Sequence, residues 1–236
     1  MASIDTKNLD VVYFCRPGSN EELRYSLRSV EKNLAHRLVW IYGGKPNSIE
    51  PDRFVQREPA GKTKWDRVRT MFRDVCLNDD ITDDFILMND DFFVMKKTAK
   101  LEAYHRSSLY EHIVRHEQKY NDRVNQYTLQ LRKAVRALQD ANLPTLSYEL
   151  HVPMIMNKQK LLEVMGAFPN IHCTRSLYGN YVGLESIQLD DVKVYDKHQP
   201  FDKRGRFLSS DDDSWEVSDA GKWIREKFNE KGGFEL

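Results

Sequence analysis

Asp84-Phe85-Ile86-Leu87-Met88-Asn89-Asp90-Asp91-Phe92-Phe93 is the stretch that decides how this chain reads. Four apolar residues lead to two adjacent carboxylates, and the chain at once turns apolar again. A short apolar run of this kind reads as a buried strand. Its tip delivers Asp90 and Asp91 to one end of a sheet. Mg²⁺ and Mn²⁺ favour hard oxygen ligands, and one or two carboxylates plus substrate phosphates usually complete the shell. The pair therefore fits a divalent cation held against a diphosphate. The alternative is a strand end with two solvated aspartates. Successive strand side chains point opposite ways, so one of the two can touch a metal while the other serves the acceptor or a structural partner.

Upstream, the pattern alternates. Leu9 to Cys15 is an apolar run read as a strand, and Arg16-Pro17-Gly18-Ser19-Asn20 is a turn ending in a helix-starting residue. Leu23, Leu27, Val30 and Leu34 predict an amphipathic helix over Glu21–Leu34. Arg37–Tyr42 is a second strand stopped by Gly43-Gly44, Arg53–Gln56 a third, and Thr63–Cys76 a second helix. This order predicts an α/β, doubly wound parallel half-domain, whose ligands bind beyond the carboxyl ends of the strands. The Arg16 turn and the Asp90-Asp91 tip both lie at such ends. Arg24 and Arg28 are four apart on one helix face, and guanidinium forks suit phosphate. They either grip a nucleotide beside the Arg16 turn or form salt bridges with Glu21, Glu31 or a neighbouring acid.

Downstream, Ser107 to Asn142 carries no Gly or Pro and predicts one long helix or a helix pair over a flank, ended by Pro144. Its charged face is either solvated or a docking arm. Tyr148 to Met154 alternates and is expected to be a strand with Glu149 and His151 on one face. Such a pair serves as acid, base, metal ligand or a structural hydrogen-bonded couple. A helix over Asn157–Ala167 follows, then a polar turn or short helix over Cys173–Asn180 that carries Arg175, and a late strand over Asp190–Tyr195. Asp211-Asp212-Asp213 either adds a metal ligand or caps a last helix containing Trp223, Ile224 and Phe228.

Composition bounds the function. The 236 residues balance 36 acidic against 36 basic groups, so no global field draws the chain to nucleic acid or anionic lipid. Lys62, Lys64, Arg67, Arg69 and Arg73 form either a local basic patch or a solvated helix face. Cys15, Cys76 and Cys173 lack zinc-site spacing and suit a reducing compartment. The start MASIDTKNLD has no signal-peptide pattern, and no apolar run is long enough for a membrane span, so a cytoplasmic protein is expected.

Two blocks resemble a known family. Glu22-Leu23-Arg24-Tyr25-Ser26-Leu27-Arg28-Ser29-Val30-Glu31-Lys32-Asn33 is similar to the ELRYSLRS block of the Stealth proteins, which are sugar-1-phosphate transferases of microbial capsule synthesis. Phe85 to Phe93 resembles their block ending in Asn-Asp-Asp. More loosely, Glu149–Pro153 and Thr174-Arg175-Ser176 resemble a third block carrying a His and then an Arg. The likeness spans about residues 9–180. The chain departs from that family in its short gap between first strand and helix, Phe14 to Glu21, and short chains of this look are familiar in bacteriophages.

The resemblance implies a GT-A-like fold, a Rossmann-like mixed sheet flanked by helices. It implies a single catalytic domain over 1–236 with a helical insertion over 104–143. It implies a metal-dependent transferase moving a sugar from a nucleotide-sugar donor to an acceptor hydroxyl. The alternatives are Stealth-like transfer of sugar-1-phosphate onto a glycan, or a non-catalytic nucleotide- or carbohydrate-binding protein. On this reading Asp90 and Asp91 hold Mn²⁺ or Mg²⁺, and Arg16, Arg24, Arg28, Lys62 and Asn89 bind the donor. Glu149 or His151 deprotonates the acceptor or completes the metal shell. Arg175, or Lys62 with Lys64, stabilises departing phosphate. The expected partners are the nucleotide sugar and a glycan acceptor, with modified nucleic acid as a second acceptor class.

Overall fold

The computed structural model describes residues 3–58, 61, 63–121 and 124–236. In chain order they form β1 (Ile4–Asp5), β2 (Asp10–Cys15), α1 (Glu21–Asn33), β3 (Val39–Gly43), β4 (Arg53–Gln56), α2 (Lys64–Cys76), β5 (Asp84–Met88), β6 (Phe92–Val94), β7 (Lys100–Leu101) and β8 (Ala103–His105). The helices α3 (Leu109–Lys119) and α4 (Gln126–Asp140) follow, then β9 (Met154–Asn157), α5 (Lys158–Ala167), α6 (Thr174–Val182), β10 (Ser186–Gln188), β11 (Lys193–Val194), β12 (Phe207–Ser210), α7 (Asp212–Val217) and α8 (Asp219–Lys227).

The central sheet has the order β4-β3-β2-β5-β9. Its first four strands are parallel and β9 runs antiparallel beside β5. The chain steps outward from β2 to β4, then returns to lay β5 on the other side of β2. The strand order therefore reverses between β2 and β5, which opens a crevice beyond their carboxyl ends. Both faces of the sheet are covered at β2, β3 and β5, so these strands are apolar almost throughout rather than alternating. Val12, Trp40, Tyr42, Phe85 and Leu87 pack with residues of α2 to α6 on one face. Val11, Tyr13, Val39, Ile41, Ile86 and Met88 pack with Leu23, Leu27 and Val30 of α1 on the other. The polar stretch after Ser107 is a pair of helices whose stripe of Leu109, Ile113, Leu131, Ala134, Val135 and Leu138 belongs to the first of these cores.

Gly43 and Gly44 end β3 where the Arg16 turn leaves β2. Gly43 has φ +104°, and a Cβ there would collide with the Cys15 carbonyl. A Cβ on Gly44 would overlap Pro17. The glycine pair thus lets the turn fold flat over the neighbouring strand end.

The expected strand over Tyr148–Met154 is corrected. Strand pairing begins only at Met154, which pairs with Leu87. Pro153 has no N–H to give to a ladder. Upstream of it, Leu150 N donates to the Tyr148 carbonyl, and Arg175 donates to the carbonyls of Tyr148 and Val152. The alternation survives as a burial pattern. Tyr148, Leu150 and Val152 are buried, and Glu149 and His151 share the opposite side.

A second sheet, β11-β12-β6, starts immediately after the acidic tip. Residues 89–91 form the turn between the two sheets, closed by Phe92 N donating to the Asn89 carbonyl. One edge of β6 pairs with β12, and α1 satisfies the other edge. Ser26 Oγ donates to the Phe92 carbonyl, Val94 N donates to Ser29 Oγ, and Asn33 Nδ2 donates to the Val94 carbonyl at 2.7 Å. These residues lie on one side of α1 at helical spacing. Ser29→Ala is expected to leave the buried Val94 N–H unpaired and cost about 1–3 kcal/mol. Urea unfolding checks this through a lowered midpoint at unchanged slope.

Candidate active site

The crevice between β2 and β5 is built by α1 and the acidic tip. Asn20 caps α1, its Oδ1 accepting from Leu23 N, and its Nδ2 donates to Asp90 Oδ2 at 2.6 Å. One side chain thus ties the helix start to the end of β5. A cleft of about 380 Å³ opens here, lined by Arg16, Ser19, Asn20, Glu22, Asp90 and Asp212 among others. Arg16 is 85% exposed and stands 3.9 Å from Asp212. The walls carry more acid than base. Burial, with Asp91 beside it, raises the Asp90 carboxyl above the usual range. Burial pushes Glu22 up to about 7 against the hydrogen bond from Ser210 Oγ, and Asp91, Asp90 and Asp212 add to the rise.

Asp91 points elsewhere. Its Oδ2 takes the Lys193 ammonium at 2.7 Å. Its Oδ1 is buried with no hydrogen-bond partner among the described residues. Among those residues, no group of three His, Cys, Asp or Glu side chains is arranged to hold a metal ion. The donor set instead suits a cation that keeps waters and takes phosphate oxygens, as Mg²⁺ and Mn²⁺ do. The unpaired Asp91 oxygen and the mutual repulsion of Glu22, Asp90 and Asp91 both favour a positive charge at this place.

Phe92 connects the tip to a second cluster. Its ring meets the His151 ring edge-on at 6.0 Å and lies 5.6 Å below the Arg175 guanidinium. His151 Nδ1 is 2.8 Å from Asp191 Oδ1, and Arg106 reaches the same carboxylate at 3.5 Å. Burial opposes ionisation of Asp191, yet His151 and Arg106 hold its carboxyl below the usual range. A carboxylate only accepts, so Nδ1 carries the proton and Nε2 is the basic nitrogen. Glu149 Oε1 accepts from Ser176 N, and burial raises its carboxyl. Burial lowers Arg175 to about 10, and its donors go to the Tyr148 and Val152 carbonyls, so it clamps the segment that carries Glu149 and His151. Gly179 of α6 completes that clamp, because any Cβ there would enter the Tyr148 ring.

The structure thus brings Arg16 to Asp90 in one cleft, and brings Glu149, His151 and Arg175 together one side-chain layer away. It does not bring Arg24 and Arg28 to the cleft. Arg28 forms a two-pronged pair with Glu235 and donates to the Phe228 carbonyl, and Arg24 lies 3.6 Å from Glu235. The expected stacking beside the Arg16 turn is corrected by helix geometry. With Glu22, Ser26 and Ser29 turned to β6 and the acidic tip, positions 24 and 28 fall on the opposite side of α1. Asn89 is exposed at the turn. Lys64 opens α2 with its ammonium 4.3 Å above the Trp65 ring. Lys62 lies outside the described residues. Arg69 of the basic segment donates to the Phe168 and Met165 carbonyls at the end of α5. Asp211 caps α7 by accepting from Ser214 N. Asn20, Glu22, Asp191 and Lys193 were not singled out from sequence. Asn20 and Glu22 read as ordinary helix-start residues, and Asp191 sits in a stretch that reads as a plain strand.

No family model and no curated protein matches the chain, so the likeness to the Stealth proteins rests on the quoted blocks. Among solved structures, the crystal structure of the glycosyltransferase GlyE in Streptococcus pneumoniae TIGR4 is similar at 9% identity and a TM-score of 0.35. The match covers 95% of this chain and 50% of that one, so the chain spans half the length of that protein.

Glu22 gives the cleft a pH signature. Its value is raised from 4.5 to about 7, so it favours the folded state at low pH, and that contribution is lost as pH rises through this window. In metal-free buffer, Glu22→Gln is expected to flatten the pH dependence of stability by about 2–3 kcal/mol between pH 5 and pH 8. Urea denaturation at both pH values checks this. Parallel curves for variant and wild type would refute it.

Proposed function

We infer that the protein is a metal-dependent transferase moving a sugar from a nucleotide-sugar donor to an acceptor hydroxyl. The reading assigns it a GT-A-like single catalytic domain over 1–236, with residues 104–143 as an insertion. One observation carries it: the crevice at the strand-order reversal is walled by Asp90, Glu22 and Asp212, with Arg16 at its mouth. A diphosphate enters such an acidic cleft only together with a cation.

In this mechanism Arg16 and the exposed Asn89 meet the donor phosphates, and Asp90 with Asp91 would hold Mn²⁺ or Mg²⁺, which would supply charge neutralisation for the departing nucleotide. His151 Nε2 takes the acceptor proton, and Asp191 fixes the imidazole and stabilises it once charged. Arg175 positions the His151 segment through the Tyr148 and Val152 carbonyls. The acceptor is a glycan hydroxyl, with modified nucleic acid as the second class. All three cysteines are unpaired and buried, which supports a reducing, cytoplasmic setting. Among the described residues no helix is long and apolar enough to cross a membrane.

A second reading, transfer of sugar-1-phosphate as in the Stealth proteins, has its own support. The two blocks that resemble that family meet in space, Ser26 Oγ of one donating to the Phe92 carbonyl of the other.

Incubation with labelled nucleotide sugar, Mn²⁺ and candidate acceptors separates the readings. Release of nucleoside diphosphate marks glycosyl transfer, and release of nucleoside monophosphate marks sugar-phosphate transfer. Binding without turnover marks a non-catalytic protein. Asp90→Asn and Asp91→Asn are each expected to lower turnover at least about 10²-fold with the fold retained. His151→Ala is expected to lower kcat by about 10²–10⁴ with donor affinity unchanged. Wild-type rates in any of the three variants would remove that residue from the mechanism.

A further inference from the structure

The helix pair faces the His151 cluster across a pocket of about 200 Å³. Along α3, His112, Arg115, His116 and Lys119 recur at helical spacing and all line it, while Leu109 and Ile113 of the same helix enter the core. Arg106 adds a third permanent cation. Glu149 and Asp191 are the acids facing the pocket. Asp191 is engaged by His151 and Arg106, and Glu149 accepts from Ser176 N. Lys119 and Arg115 are less committed. Among the described residues no carboxylate pairs with Lys119, whose ammonium rests 3.3 Å from the centre of the Tyr195 ring. Arg115 donates to Ser107 Oγ and stands 4.0 Å from Glu111.

The remaining walls are aromatic or neutral. Tyr127 meets the His116 ring edge-on at 5.1 Å, and Tyr120 lies 4.8 Å from the same ring. Burial lowers His112 to about 4, and also lowers His116, so both imidazoles are uncharged near neutral pH. Their Nδ1 atoms are held by Ser147 and Thr128 hydroxyls. The pocket therefore brings together two under-paired cations, the carboxylates with His151, and tyrosine rings. An acidic sugar carries groups to match: an oxyanion, hydroxyls, and C–H faces that lie on aromatic rings. The chain has zero net charge, which disfavours an extended polyanion.

We propose that this pocket is the acceptor subsite and that it takes an anionic sugar end, a phosphate or carboxylate bound by Arg115 and Lys119 with its hydroxyls toward Glu149, His151 and Asp191. The acceptor role rests on the transferase reading; the binding of the anionic sugar does not. Phe92 follows Asp91 directly in the chain and its ring meets His151 edge-on at 6.0 Å, so this pocket lies beside the acidic tip.

The test uses the full chain and defined probes. Calorimetry without divalent cation measures glucose 6-phosphate, glucuronate and glucose, and a parallel titration measures nucleoside diphosphate with Mn²⁺. The wild type is expected to bind glucose 6-phosphate or glucuronate at least tenfold more tightly than glucose, and the stronger of the two names the oxyanion. The double variant Arg115→Gln/Lys119→Gln, at two exposed helix positions, is expected to lose that preference and keep its nucleotide affinity. An unchanged preference in the variant, or a loss confined to the nucleotide, would overturn the proposal. So would a short oligonucleotide that displaces the sugar acid at lower concentration than glucose 6-phosphate does. If nucleotide and Mn²⁺ fail to bind the wild type, the donor reading falls while the sugar titration still decides the pocket.

Discussion

The polar seam between α1 and β6 is the constraint on which the rest of the site depends. Residues 89–91 leave the central sheet at Met88 and must enter a second sheet at Phe92. A turn this short needs neighbouring groups to set the angle between the two sheets, and Phe92 and Val94 contribute by packing in the core beneath α1. Ser26, Ser29 and Asn33 do so by bonding the β6 backbone, and Asn20 ties the turn itself through Asp90. Buried backbone groups need partners, so the seam is both a structural requirement and a positioning device. It also fixes the rotation of α1 about its axis. Glu22 then has to face the acidic tip, and Arg24 and Arg28 have to face Glu235.

This explains which parts of the molecule were legible in the sequence. Strands of apolar run and helices of clear period were readable because burial on two faces or one stripe writes itself into the residue pattern. Arg53–Gln56 and the helix after Thr63 emerge with the expected bounds, and the helix pair emerges with its break after Lys119. The crevice was readable at the level of strand ends. Side-chain partnerships were not. Arg24 and Arg28 look alike in sequence whether they hold a phosphate or a tail carboxylate. The tail residue Glu235 lies 207 positions from Arg28, and no local pattern announces such a contact. The segment over 148–153 shows the same limit from another side. Its alternation correctly put Glu149 and His151 together, but alternation reports burial and not backbone pairing. Pro153 was the signal against a strand.

The balance of 36 acids and 36 bases conceals a segregation that the fold creates. Glu22, Asp90 and Asp212 gather at the cleft, while Arg106, Arg115 and Lys119 gather in the pocket behind Phe92. Net charge averages these fields away. Within a few ångströms of either site the local charge governs, because partly buried groups are screened far less than exposed ones. Neither field shows in the net charge, and the acidic one is assembled from elements distant in the chain.

Asp91 sits on the boundary between the two fields, and its environment follows from that place. One oxygen is neutralised by Lys193, which leans toward Tyr195 at the edge of the basic pocket. The other oxygen is buried with no hydrogen-bond partner among the described residues. A carboxylate so divided is half satisfied by the protein alone. Full satisfaction of both oxygens needs a further donor or cation, whereas Asp90 is already bonded by Asn20. The two adjacent aspartates therefore differ in what they lack: Asp90 carries excess negative charge around a completed hydrogen bond, and Asp91 carries an incomplete one. A donor or a positive charge at this tip would offset what each of them lacks.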